Sequence, residues 1–111
     1  MTLTLPQPVA TYLQAKNDHD IAAMLACFAA DAVVHDDGGE YRGRAAIGEW
    51  TERITAAYQL TLDITGVEHR DGTLAVAIQA SGNFDGSPFP FIYHFTLAAD
   101  RIAALRIEFA G

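Results

Sequence analysis

The order of patterns along the chain predicts a single α+β domain. Helical apolar spacing fills the first half, and from residue 60 onward the chain turns to β-rich runs broken by tight-turn residues. A third observation is that no repeat, linker or low-complexity stretch divides the 111 residues, so residues 1–111 read as one domain, with length for one core and not two.

Pro6 and Pro8 suit a helix start, and Val9, Tyr12, Leu13 and Lys16 follow at helical spacing until Asn17 or Asp18 interrupts that helix and caps the next. A second helix carries Ile21, Met24, Leu25 and Phe28 at i, i+3, i+4 and i+7, with Asp20 in its first turn where the dipole favours it. The short apolar run from Ala32 to His35 reads as a strand that delivers His35, Asp36 and Asp37 to the turn at Gly38 and Gly39. A third helix begins after Gly43 and sets Ile47, Trp50, Ile54 and Tyr58 along one stripe.

The remainder reads as sheet. Leu60 to Glu68 and Thr73 to Gly82 flank His69, Arg70, Asp71 and Gly72, and an Asp-Gly pair between apolar runs signals a hairpin. A looser turn from Asn83 to Pro88 leads to the strand Phe89 to Leu97, and a tight Ala99-Asp100 turn leads to Ile102 to Phe109. The four strands form an antiparallel meander, joined by the short early strand.

Composition narrows the function classes. With 14 acidic against 7 basic side chains the formal charge of −7 repels phosphate backbones, so nucleic acid is excluded as a partner. No run approaches membrane-spanning length, and the N-terminal MTLTLPQPV lacks the basic and apolar regions of an export signal, which makes a cytoplasmic protein the expectation. One cysteine, Cys27, excludes an internal disulfide and reads as a small core hydrophobe. His19, His35, His69 and His94 are scattered without ligand spacing, so neither a metal nor another cofactor is expected.

A long twisted antiparallel sheet covered by helices leaves a cavity where small residues line it, and Ala75, Ala77, Ala80, Gly82, Ala103 and Ala104 are expected to do so. Alternation puts Phe89, Phe91, Tyr93 and Phe95 on one face, and His94 on the other. In the last strand it puts Ile102, Ala104, Arg106 and Glu108 together, opposite Ala103, Leu105, Ile107 and Phe109. Both faces are half-apolar, which predicts a sheet covered on one side by helices and on the other by a second copy of the chain.

Two helices, then ADAVVHDDGGEYRGRAAIGEW, then a meander ending in DRIAALRIEF resemble the SnoaL-like branch of the nuclear transport factor 2-like superfamily, which includes polyketide cyclases, limonene epoxide hydrolases and ketosteroid isomerases. The resemblance covers almost the whole chain and implies a cone-shaped curved mixed or antiparallel sheet wrapped by three helices, a cystatin-like roll with a conical pocket and frequent homodimers. It does not fix a reaction. The chain departs from it at Ala99-Asp100-Arg101-Ile102, where relatives often carry an Asp-Gly turn.

Alignment with ketosteroid isomerases implies a general base at Asp36 and an oxyanion donor at Tyr12. Their third group, a protonated Asp, falls on Tyr93 or His94, neither of them a carboxylic acid. The chemistry is coherent by itself: a carboxylate takes a proton from carbon beside a carbonyl when an O–H donor stabilises the enolate and water is excluded. Alternatively, Asp36 with Arg106 and Glu108 offers the residue types that activate water on an epoxide. Trp50, Tyr58, Tyr93, His94 and His35 are further ligand-wall candidates, although alternation keeps His35 and Asp36 from facing one cavity together. Three readings follow. A small enzyme acting on a hydrophobic molecule predicts a pocket around Tyr12, Asp36, Trp50 and the aromatic strand face; a noncatalytic binder of the same class of ligand predicts Asp36 turned to solvent; a dimerisation module predicts a filled cone.

Overall fold

The computed structural model describes residues 5–70 and 72–110. The first four residues of the stretch read for export signals, Gly111, and Asp71 of the expected hairpin turn lie outside them. Three helices pack on one face of a curved six-stranded sheet, in the chain order α1 (Gln7–Asn17), α2 (Ile21–Ala26), β1 (Phe28–Asp36), β2 (Gly39–Arg42), α3 (Gly43–Tyr58), β3 (Thr61–Arg70), β4 (Thr73–Ser81), β5 (Phe89–Ala98) and β6 (Arg101–Phe109). No helix among the described residues is long and apolar enough to cross a membrane.

Helix α1 follows Pro6, carries Pro8 in its first turn and buries Val9, Tyr12, Leu13, Ala15 and Lys16. Neither Asn17 nor Asp18 caps the next helix. Asn17 instead closes a two-way bond with the backbone of Leu62, its amide donating to the carbonyl at 3.0 Å and its oxygen accepting from the N–H at 2.6 Å. The cap of α2 is Asp20, whose Oδ1 accepts from the Ala23 N–H at 3.1 Å.

The largest correction concerns Phe28. Helical spacing assigns it to the second helix, but α2 stops at Ala26 and Phe28 opens β1, fully buried and paired in parallel with Ile102. Long-range pairing outweighs local spacing here: the Ile102 N–H donates to the Cys27 carbonyl at 2.8 Å, and Arg44 donates to the Phe28 carbonyl at 2.6 Å through Nη2. β1 therefore runs well beyond the expected four residues.

The sheet order is β2-β1-β6-β5-β4-β3, with β1 parallel to β6 and every other pair antiparallel. The meander of the last four strands is present. A second hairpin, β1–β2, turns at Asp37 (φ 50°) and Gly38 (φ 79°), left-handed positions that glycine occupies without strain. At the β3–β4 turn His69 and Arg70, expected in the connection, belong to the strand, and Arg70 pairs with Thr73.

Register shifts curve the sheet. One lies in β3 between Ile64 and Gly66, and another sets Thr96–Leu97 against Ala104 and Ile102. The second overturns the simple alternation of the last strand: the extra residue lets Ile102 and Leu105 both sit in the core, so Ile102 does not share a face with Arg106 and Glu108. Two of the small residues expected to line the cavity, Ala75 and Ala77, are also misassigned. Ala75 pairs with His94 and Ala77 with Ile92 on the outer face, while the inner face bears Leu74, Val76, Ile78 and Ala80.

Candidate active site

Cross-strand register sorts the candidate residues into two rows. On the inner face Asp36 lies beside Ile107, Ile107 beside Tyr93, and Tyr93 beside Val76. On the outer face His35 lies beside Arg106, Arg106 beside His94, and His94 beside Ala75. His35, His94, Arg106 and Glu108 are therefore not brought together with Asp36. They bond to one another and to Glu40 instead: His94 Nε2 lies 3.1 Å from Glu108, Arg106 Nη1 3.4 Å from Glu108, and His35 Nδ1 3.8 Å from Glu40.

Asp36, Ile107 and Tyr93 of the inner row line a cavity of about 630 Å³. Trp50, Ile54 and Tyr58 of α3 form one side, Phe89, Phe91 and Tyr93 of β5 the other, and Phe84, Leu60 and Phe109 surround the mouth. Asp36, Asp37, Asp85 and Lys16 supply charge among these apolar walls. The cone is not filled. Trp50, Tyr58 and Tyr93 are thus cavity-lining, whereas Tyr12 stands behind the wall, fully buried edge-on to Phe28 and Phe95 at 5.3 and 6.0 Å. Its hydroxyl has no hydrogen-bond partner among the described residues.

Asp36 is half-buried, and its Oδ2 accepts a bond from Trp50 Nε1 at 3.0 Å. Position 36 and position 50 meet because α3 returns across β1, with Tyr41 of β2 stacked on the indole at 5.9 Å and Arg53 over Tyr41 at 5.6 Å. Burial pushes the Asp36 carboxyl above its ordinary range, against the opposing pull of the Trp50 N–H and the Lys16 charge. Burial likewise raises the Tyr93 and Tyr12 hydroxyls, with the Asp36 charge adding to both, so both phenols keep their protons.

Lys16 is the residue that sequence reasoning passed over as a site. It is 4% exposed, its Nζ lies 5.2 Å from the Trp50 ring centre and 5.8 Å from that of Tyr12, and no carboxylate of the described residues is within salt-bridge reach. Burial lowers its pKa from 10.5 to about 8, with Asp36 pulling the other way. Two signals were present: Lys16 continues the Tyr12 stripe one turn later, and it is the one lysine in the 111 residues. No three of His, Cys, Asp and Glu converge among the described residues in a way that would hold a metal.

A curved, unclosed sheet wrapped by three helices around a cavity that opens at one end defines a protein of the NTF2-like, cystatin-like class. Residues 9–105 match the SnoaL-like domain, and the chain belongs to that family. Among solved structures it is similar to a candidate polyketide cyclase from Sinorhizobium meliloti, at 34% identity over 94% of this chain and 95% of that one, with a TM-score of 0.90. It shares its fold with SalBIII, the epoxide hydrolase/cyclase-like enzyme of pyran ring formation in salinomycin, at 23% identity over 94% and 88% of the two chains and a TM-score of 0.82. An LEH-like epoxide hydrolase of M. tuberculosis is also similar in fold, at 17% identity over 94% and 80%, with a TM-score of 0.80. No curated protein matches the sequence.

Proposed function

We propose that this protein is a small enzyme that moves a proton on carbon beside the carbonyl of an apolar molecule, with Asp36 as the general base. One observation carries the reading: a carboxylate held by Trp50 at 3.0 Å, destabilised by burial, stands at the end of an aromatic cavity. Oδ2 takes the indole bond, which leaves Oδ1 to meet a substrate C–H. The phenol of Tyr93, one strand beyond Ile107 in the same row, is a proton-bearing donor for the enolate oxygen, and the apolar walls strengthen that bond by excluding water. Tyr12 supports this row from behind, without touching the ligand. Epoxide opening has less support, since Arg106 and Glu108 lie on the outer face.

The test uses deuterium exchange into the α-carbon of hydrophobic aldehydes and ketones, followed by proton NMR, which requires no knowledge of the natural product. The protein is expected to accelerate exchange over buffer, and Asp36→Asn to reduce that acceleration by about a thousandfold, within the usual span for a lost general base. Unchanged exchange in that variant overturns the assignment. Probe binding without any exchange makes the cavity a carrier site.

A further inference from the structure

We propose that Lys16 is a nucleophile that condenses with the carbonyl of an aldehyde or ketone ligand, so that this cavity holds its substrate as an imine. The proposal rests on the reading of the ligand as a carbonyl compound and adds a covalent step to it. Three observations place the amine there. Lys16 is the chain's one lysine, it is 4% exposed in the wall of the cavity, and its Nζ has aromatic faces beside it and no carboxylate of the described residues within salt-bridge reach. A lysine kept for surface charge would stand in water, and one kept for structure would be paired, because an unpaired buried ammonium is costly. This side chain does neither. What it faces is the ligand space, with Asp36 and Tyr93 lining the same cavity.

The chemistry balances with the groups present. Neutral Nζ attacks the carbonyl carbon while the carbonyl oxygen gains a proton; the resulting carbinolamine loses a nitrogen proton, takes a second proton on oxygen and expels water. One water leaves for each C=N bond formed, and no oxidant or reductant is consumed. Asp36 is positioned to relay these protons and then to take the adjacent C–H, which the protonated imine acidifies. That imine is a cation, so the faces of Trp50 and Tyr12 stabilise it as they stabilise the ammonium. Burial helps by keeping about a tenth of the amine neutral at pH 7, far more than an exposed lysine offers.

The experiment exposes the folded protein to phenylacetaldehyde and cyanoborohydride and maps the reduced adduct by peptide mass spectrometry, alongside deuterium exchange of the same probe. The expected result is one adduct on the peptide containing Lys16, formed about tenfold or more faster than on N-acetyl-lysine amide, slowed in Asp36→Asn, with exchange lost in Lys16→Met. Accelerated exchange with Lys16 unlabelled, or labelled no faster than the free amine, overturns the imine and leaves Asp36 as base. Fast labelling without exchange keeps the imine and overturns the proton-transfer reading. Neither labelling nor exchange overturns both. Should Lys16→Met fail to fold, labelling of the wild-type chain decides alone.

Discussion

An ammonium lodged between Trp50 and Tyr12, with no carboxylate of the described residues within salt-bridge reach, subtracts from the stability of the fold, and pH reveals by how much. The folded pKa of Lys16, about 8, lies below the 10.5 of the free side chain. Between those values the unfolded chain binds more protons than the folded one, so this residue makes stability rise with pH across that window. Below pH 8 the full penalty stands, about 3 kcal/mol by the size of the shift, of which the two aromatic faces return a part. Lys16→Met, which keeps the apolar stem and removes the charge, is therefore expected to stabilise the protein at pH 7 by about 1–2 kcal/mol. Urea denaturation at pH 7 and pH 10 checks it: the advantage of the variant must shrink at the higher pH, and a variant less stable than wild type at pH 7 contradicts the account. Lys16 was legible as a stripe residue and illegible as a site, because helical spacing reports which face is buried and says nothing of what that face meets.

Between elements, the decisive contact is α3 with β1, made by Trp50 and Asp36. The stripe of Ile47, Trp50, Ile54 and Tyr58 could be read from helical period alone, and so could the end of a strand at Asp36. The bond between them could not, since it depends on the angle at which α3 crosses the sheet. Its effect is testable. The indole N–H stabilises the carboxylate, so Trp50→Phe removes a contribution that lowers the Asp36 pKa, and the already raised value moves higher. The acid limb of the pH profile of kcat/KM for α-proton exchange is expected to shift to higher pH in Trp50→Phe, and an unmoved limb separates Trp50 from the function of Asp36. Two element boundaries escaped the sequence for physical reasons. Phe28 has helical spacing yet is captured by parallel pairing with Ile102. β2 is a four-residue edge strand of sequence GEYR, half of it exposed, so its pairing supplies what its composition does not, although Asp37-Gly38 carried the same hairpin signal as Asp71-Gly72.

At the scale of the molecule, alternation within each strand was readable but alignment across strands was not, and that alignment divides the site. Once β1 is known to run parallel to β6, Asp36 and Tyr93 fall into one row and His35, Arg106 and His94 into the other. The inner row ends in a cavity rather than a packed core where large rings meet at tilted angles: Phe89 stands 5.2 Å from Phe84, 6.4 Å from Phe91 and 5.5 Å from Phe109, and Phe109 remains 56% exposed. Apolar surface left in water at the mouth of a concave wall is stabilisation withheld from the empty protein and released when a ligand covers it. A hydrophobic carbonyl compound at about a hundred times its Kd should add about 2.7 kcal/mol to the folded state. For a domain of this size that corresponds to a rise in Tm of roughly 10 °C. Phe91→Ala, which opens the wall without touching Asp36 or Lys16, should weaken that rise while leaving the unliganded chain folded, as differential scanning fluorimetry of both proteins would show. If none of a set of apolar aldehydes and ketones shifts Tm in the wild-type chain, the aromatic mouth serves some purpose other than enclosing such a ligand, and the proton-transfer reading loses the pocket on which it depends.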